Sequence, residues 1–301
     1  MKKITLFNED LIVRDSLCGP TPESQYEVEP SLRLYIKLTD SCNANCSFCA
    51  NETSKDFGTI DFSKLEFVIR YLKEEKCLHG ISITGGEPMI NPEKMNLLLK
   101  LIWSIDKNIE VAISTNGLNL REFANMEQVN NLESIHISRH HYDDDKNREI
   151  FKSHTIATTD DIMFLQEKLQ DKQILNINTL VMKKYIENLD EIKKMLNYVG
   201  DTGVYKNGFV SLMKCNSFSQ EHFINFNDIF KNLDSNFLVA HHFYSSEYCE
   251  CIDGVYTSEN AKLVEFYARM VKECSCPYTT QLVYTSDNKV TAGFGKKVLF
   301  K

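Results

Sequence analysis

The chain has 301 residues, 43% hydrophobic and 25% charged, with only 12 Gly and 6 Pro, which excludes a disordered, collagenous or low-complexity protein. A formal net charge of -8 weighs against a broad nucleic-acid-binding surface. Ten cysteines are too thinly spread for a small disulfide scaffold, and Met1-Lys2-Lys3-Ile4 runs on to Asn8-Glu9-Asp10 without the apolar run of a signal peptide. Nor does any stretch approach the roughly twenty apolar residues of a membrane span. A cytoplasmic, reducing location is therefore expected, where clustered cysteines more often bind metal or do chemistry than form disulfides.

After an N-terminal extension (1–33), strand and helix signals alternate. Leu34 to Leu38 reads as a strand, and Leu65, Val68, Ile69 and Leu72 then follow at the spacing of a buried helix face, with Asp61 or Ser63 as its cap. Ile81 to Thr84 is the second strand, and Pro92 opens a helix whose Met95, Leu98, Leu99 and Ile102 share one side. Ile109 to Ser114, Glu133 to Ser138, Ile174 to Val181 and Phe209 to Lys214 read as strands three to six, with helices around Asp160 to Leu169 and Asn188 to Tyr198. Six β/α units predict an α/β fold with a parallel sheet, doubly wound or curled into a full or partial barrel. Ligands would gather at the carboxyl ends of its strands. The rhythm fails after about residue 239. Val255-Tyr256, Leu263 to Tyr267, and a hairpin of Gln281 to Tyr284 with Lys289 to Phe294 suggest a small α+β extension over 240–301 that carries four of the cysteines.

Directly after the first strand stands Thr39-Asp40-Ser41-Cys42-Asn43-Ala44-Asn45-Cys46-Ser47-Phe48-Cys49. Three thiols so spaced can converge on an iron–sulfur centre; a zinc knuckle lacking its fourth ligand, or three unpaired cysteines, is the plainer reading. Thr84-Gly85-Gly86-Glu87-Pro88 ends the second strand and Ser114-Thr115-Asn116-Gly117 the third, both on the expected ligand rim. Two glycines let backbone approach a ligand closely, although Gly-Gly and Asn-Gly are each more often ordinary turns.

In this order the motifs resemble those of the radical S-adenosylmethionine (SAM) superfamily over about residues 34 to 215. The resemblance implies a partial (β/α)6 TIM-like barrel over 34–239 that uses a [4Fe-4S] cluster and SAM. Cys42, Cys46 and Cys49 would hold three irons, and the fourth would take the amino and carboxylate groups of SAM. Gly85, Gly86 and Glu87 match the motif that holds the SAM ammonium, and Phe48 matches the aromatic position near adenine. Ser114 and Asn116 stand where ribose or carboxylate is bound, and Ser138 and Asn178 where polar side chains reach SAM. The implied reaction is reductive cleavage of SAM to a 5′-deoxyadenosyl radical that abstracts hydrogen from a peptide or small-molecule substrate. It requires an electron donor of the flavodoxin or ferredoxin type.

Other features are less specific. After the fourth strand, Arg139, His140 and Tyr142 are candidate substrate or proton-transfer residues, with a solvated polar loop as the alternative, above all for Asp143 to Asp145. His241-His242 reads as surface. Cys215, Cys249, Cys251, Cys274 and Cys276 could furnish an auxiliary iron–sulfur cluster or zinc site, but two Cys-x-Cys pairs depart from the usual Cys-x2-Cys spacing. Cys18 and Cys77 read as structural. The cysteine-bearing C-terminus resembles that of peptide-modifying members of the superfamily and the acidic charge disfavours RNA, so a peptide or small-metabolite substrate is expected. A nucleotide-derived substrate, and a non-catalytic zinc- or cluster-binding protein, are the competing readings.

Overall fold

The computed structural model describes residues 2–13, 32–51, 59–231, 237–245, 252–258, 263–268, 279, 281–294 and 297–301. Strands β1 (Lys2–Leu6) and β2 (Glu9–Val13) form a hairpin. Then β3 (Leu32–Lys37), α1 (Phe62–Glu74), β4 (Leu78–Thr84), α2 (Pro92–Ile105), β5 (Glu110–Thr115), α3 (Leu120–Ala124) and β6 (Ser134–Ser138) begin the alternation. It continues through α4 (Asp144–Phe151), α5 (Thr159–Lys168), β7 (Leu175–Val181), α6 (Leu189–Asp201) and β8 (Lys206–Ser211). Beyond two short helices, α7 (Ser217–His222) and α8 (Phe226–Phe230), come β9 (Val239–Ser245), β10 (Ile252–Thr257), β11 (Leu263–Ala268), β12 (Gln281–Tyr284), β13 (Val290–Thr291) and β14 (Val298–Phe300).

Strands β3 to β8 are parallel and adjacent in chain order, the mark of successive β/α units. The C-terminal strands join the same sheet at both edges: β12 lies parallel to β3, and β11 parallel to β8. The order is β14-β13-β12-β3-β4-β5-β6-β7-β8-β11-β10-β9, an open sheet rather than a closed barrel. It is nevertheless curled. Arg33 on β3 ion-pairs with Glu133, the residue before β6, passing over Gly80 of β4, where a Cβ would stand 3.3 Å from the guanidinium. Three strand spacings amount to about 14 Å in a flat sheet, beyond the reach of that pair.

The helices cover one face. Leu34, Ile36, Ile81, Ile83, Val111, Ile113, Ile135, Ile137, Leu175 and Ile177 are buried there against residues such as Leu65, Ile69 and Leu99. Each such side chain stabilises the fold by about 1.5–3 kcal/mol relative to an exposed one. The concave face is polar: Ser114 pairs with His136, His136 with Asn176 and Asn176 with Lys206, while Ser138 pairs with Asn178.

Two local readings are corrected. The sixth parallel strand starts at Lys206, three residues before the expected Phe209, because polar Lys206 pairs with Glu265 (2.5 Å) and Gly208 leaves room for the Asn178 amide, whose oxygen would be 2.8 Å from a Cβ. Asp143 to Asp145 are no loop: Asp143 caps α4 by accepting from Lys146 N (2.9 Å), and Asp144 and Asp145 place negative charge on the first turn. Asp61 is the cap of α1, accepting from Ser63 N and Lys64 N. His241 lies in β9, exposed, with its Nε2 2.9 Å from Thr257 Oγ1. No helix among the described residues is long and apolar enough to cross a membrane.

The C-terminal hairpin is tied to α1 through Tyr284, whose buried hydroxyl lies 3.0 Å from Asn288 Oδ1 and 3.2 Å from the Asp61 carbonyl. Tyr284→Phe should therefore cost about 1 kcal/mol of stability, read from urea unfolding. A neutral effect would show that this tie contributes nothing to the docking of β12.

Candidate functional site: a cysteine loop on the strand-end rim

The loop from Thr39 to Ala50 leaves β3 at its carboxyl end and is held from several neighbouring strand ends. Gly86 N donates to Thr39 O (2.7 Å) and Glu87 N to Ser41 O (2.8 Å), so the turn after β4 pairs with the root of the loop. The glycines permit that approach. A Cβ on Gly86 would fall 2.0 Å from Ser41 O, and one on Gly85, at φ +142°, would fall 2.3 Å from Thr39 O. The Gly85 carbonyl accepts from Asn51 Nδ2 (3.1 Å).

Glu87 is 1% exposed and its carboxylate is fully engaged. Oε1 accepts from Met89 N (2.9 Å) and Thr115 Oγ1 (2.6 Å), and Oε2 accepts from Asn116 N (2.7 Å). Burial pushes its pKa up to about 7 against the pull of those three donors. The carboxylate thus braces the ends of β4 and β5. Asn116 extends the brace: its Nδ2 donates to Asn43 Oδ1 (2.8 Å) and lies 3.8 Å from Cys42 Sγ, and its Oδ1 accepts from Leu118 N (3.0 Å). Asn43 in turn donates to Thr155 Oγ1 (3.0 Å).

The other side of the loop rests on the end of α4 and the segment after β8. Asn45 N donates to Phe151 O (3.0 Å), which the Cys46 thiol approaches at 3.8 Å. Asn216 Nδ2 donates to Ser47 O (3.1 Å), and the Cys215 thiol lies 3.9 Å from Phe48 O. The Phe48 ring meets His140 edge-on at 5.2 Å, and His140 stacks on Phe151 at 4.8 Å.

Three residues expected to face substrate are committed elsewhere. Arg139, 0% exposed, pairs with Asp144 (2.5 Å), donates to Ala157 O and Tyr142 O, and lies 4.6 Å over the Tyr198 ring. His140 accepts from Leu180 N (3.2 Å), and burial pulls its pKa down to about 3, which favours the neutral ring. Tyr142 donates to Glu191 (2.9 Å) on α6. Arg139 follows Ser138, the last concave-facing residue of β6, and alternation sends it to the opposite, helix-covered side. Ser114 and Ser138 lie on the concave face near the ends of β5 and β6, and Asn178 lies on it in the middle of β7, opposite Ser138. Asn43, Thr115, Phe151 and Asn216 were not singled out from the sequence. Of these, Asn43, inside the cysteine motif, and Thr115, inside Ser114-Thr115-Asn116-Gly117, carried a local signal.

Cys42, Cys46 and Cys49 share one loop and are half-buried, a donor set suited to an iron–sulfur cluster. Burial pushes the Cys46 thiol up to about 12, with the neighbouring Cys49 and Cys42 adding to the rise. Burial likewise raises Cys42. Binding a metal would displace those protons. Among the described residues, no three His, Cys, Asp or Glu side chains are grouped tightly enough for a single ion. Cys249, Cys251, Cys274 and Cys276, expected with Cys215 as a second site, and Cys18 lie outside the described residues. Cys215 stands against the first loop, four residues past β8, rather than at a strand end. Cys77 is buried in the core, as expected of a structural residue.

A β/α partial barrel with a three-thiol loop after its first parallel strand, braced by a Gly-Gly-Glu turn after the second, defines a cluster-binding enzyme class. The model of the Radical SAM superfamily matches residues 36–199, more than half of the chain, and the chain belongs to that family. The family's cofactors are a [4Fe-4S] cluster and SAM. A GTP 3',8-cyclase of Clostridium perfringens (strain SM101 / Type A) is 30% identical over 188 residues, covering 60% of this chain and 55% of that one. The GTP 3',8-cyclase of Lactiplantibacillus plantarum is 28% identical over 227 residues, covering 73% and 67%. The chain thus spans between about half and two-thirds of the length of these curated relatives. Among solved structures, Streptococcus suis SuiB bound to S-adenosylmethionine superposes with a TM-score of 0.62 at 13% identity, covering 92% of this chain and 64% of that one. It shares the fold.

Replacing Arg139 with Met should cost roughly 3 kcal/mol, because Asp144 is left without its cation. Thermal unfolding of the apoprotein checks this, and a change under 1 kcal/mol would return Arg139 to a role outside the scaffold. For Glu87 the sign follows from a folded pKa above the unfolded value near 4.5. The folded state holds the extra proton between those values, so stability falls as pH rises toward and through 7. Relative to Glu87→Gln, the wild-type apoprotein should lose about 1 kcal/mol between pH 6 and pH 8; parallel urea midpoints for the two proteins would contradict a raised pKa.

Proposed function

We propose that this chain is a radical SAM enzyme that takes a hydrogen atom from a peptide or small polar metabolite held against the concave face of its sheet. The observation that carries this reading is the placement of the cysteine loop at the carboxyl ends of the strands, above a concave face lined by Ser114, His136, Ser138, Asn176 and Asn178. When bound, the cluster and SAM supply a hydrogen-abstracting adenosyl radical, so the protein's task is binding, orientation and exclusion of competing donors. Glu87, through Asn116 and Asn43, and Phe151, through its carbonyl, fix the three thiols relative to the rim. Ser138 and Asn178 offer hydrogen bonds at the mouth, and Ser114 and His136 offer them deeper in the same wall. The polar lining favours a hydrogen-bonding substrate, because unpartnered polar groups there would penalise a purely apolar one. The C-terminal stretch, 240–301, is proposed to complete substrate recognition, and a flavodoxin- or ferredoxin-type protein to supply the electron.

A second reading, a nucleotide-derived substrate, is favoured by the GTP 3',8-cyclase relatives, which are 28–30% identical over 60–73% of this chain.

Protein reconstituted anaerobically with iron and sulfide should be brown and should convert SAM and dithionite to 5′-deoxyadenosine and methionine, measured by liquid chromatography. Cys46→Ala should abolish both the colour and the cleavage. A colourless, zinc-containing protein that leaves SAM intact would overturn the proposal, and stimulation of 5′-deoxyadenosine formation by GTP would move the substrate assignment to the second reading.

A further inference from the structure

The turn of the C-terminal hairpin reaches back to the root of the cysteine loop. Because β12 lies parallel to β3, with Tyr284 beside Ile36, the residues after Tyr284 run alongside the exit of β3. Thr285 N donates to Lys289 O (2.9 Å) and closes the turn, and Asn288 takes the left-handed conformation at φ +64°, which asparagine tolerates. Ser286 is 5% exposed, and its hydroxyl donates to Asp40 Oδ2, 246 residues away in the chain. Lys37 Nζ lies 2.6 Å from the other oxygen of that carboxylate. Asp40 stands between Thr39 and Ser41, whose carbonyls accept from Gly86 N and Glu87 N. Its backbone is therefore held from the β4 side and its side chain from the hairpin side, two residues before Cys42. The same turn holds the far end of the β3–α1 connection: Asn288 Nδ2 donates to Thr59 O (2.9 Å), and its Oδ1 accepts from Asp61 N (2.8 Å).

We propose that Ser286 and Asp40 are positioning residues for the cluster: the hairpin fixes the Asp40 carboxylate at the root of the loop, and through it the set of the loop and the charge that the bound cluster feels. The inference rests on the radical SAM reading, in which Cys42 is a cluster ligand. Tyr284 and Asn288 dock the turn onto the start of α1, whereas the Ser286 bond is aimed at the loop. Residues behind metal ligands orient them, and cluster potentials follow the charge and hydrogen bonds around the sulfurs. The Cα atoms of Asp40 and Cys42 are at most about 7 Å apart, within the range over which a partly buried charge is little screened. Ser286 and Lys37 offset that negative charge, and a hydroxyl bound to a carboxylate is among the stronger hydrogen bonds. A strand pair remote in sequence thereby becomes part of the cluster site.

The test is a redox titration of anaerobically reconstituted protein without SAM, followed by electron paramagnetic resonance. Ser286→Ala should lower the cluster's midpoint potential, because the carboxylate loses a donor, and should release iron to a chelator about tenfold faster. Asp40→Asn, which is isosteric, should raise the potential, and adding Ser286→Ala to it should shift the potential far less than in wild type. Opposite signs for the two single variants separate charge from loosening, which would move both the same way. Tyr284→Phe loosens the same hairpin without reaching Asp40 and should leave the potential unchanged, whatever it does to the urea midpoint. Shifts of one sign, an unmoved potential in Asp40→Asn, or wild-type iron release from Ser286→Ala would each overturn the assignment; the Asp40→Asn arm decides it even if Ser286→Ala does not fold. Wild-type protein that takes up no iron would overturn instead the reading beneath it.

Discussion

One buried carboxylate sets the geometry of the rim. Glu87 collects Met89 N and Thr115 Oγ1 on one oxygen and Asn116 N on the other, joining the exits of β4 and β5 where no strand ladder continues. The same turn is stitched to the root of the cysteine loop through Gly86 N and Glu87 N. Asn116 then carries the constraint to Asn43 and the sulfur of Cys42. Segments around residues 40, 87 and 116, distant in sequence, so become one unit. A carboxylate in this position without its donors would be expensive to bury. With them it is retained near neutrality, which makes each donor matter: losing one would leave a buried acceptor unpaired beside the others.

The opposite side of the loop depends on packing more than on charge. His140 lies between Phe48 and Phe151 and is held by Leu180 N, while Asn147 accepts from the His140 N–H. A neutral imidazole suits this place because it is flat enough to stack and can accept from the backbone, which a phenyl ring cannot. Phe151 is positioned by α4, and α4 begins at Asp144, the partner of Arg139. The Arg139–Asp144 pair thus stands at one end of a short helix and the carbonyl that Cys46 approaches at the other.

The β/α order was legible in the sequence because apolar residues recur at helical spacing between short apolar strands, and buried strands and helix faces cannot avoid that pattern. The cysteine run and the Gly-Gly-Glu turn were legible for a similar reason, since each is compact in sequence. The edges were not. The pairing of β11 with β8 and of β12 with β3 links residues far apart in the chain, and short strands carry no signal of their partner. Arg139, His140 and Tyr142 looked like substrate-facing residues because a polar residue past a strand end reads alike whether it points inward or outward. The alternation Ser134, His136, Ser138 already marked the concave face, and Arg139 falls out of phase with it. The same phase would have picked out His136, which lies on that face between Ser114 and Asn176.

This phase separates the two kinds of polar residue that the rim contains. Arg139, out of phase with the wall, and Tyr142, beyond the end of β6 where the alternation has stopped, are consumed by Asp144, Ala157, Tyr198 and Glu191 and give the strand ends one arrangement. A buried ion pair of this type adds little net stability relative to an apolar substitute, yet it tolerates few alternative geometries, because its charges must stay paired. Those in phase, Ser114, His136, Ser138, Asn176 and Asn178, are spread along a curved wall whose shape the out-of-phase set maintains. Under the proposed function, rigidity and recognition fall on opposite faces of the same strands. Substitutions on the concave wall can change what is bound without moving the cysteine loop, whereas substitutions on the covered side act on the loop first.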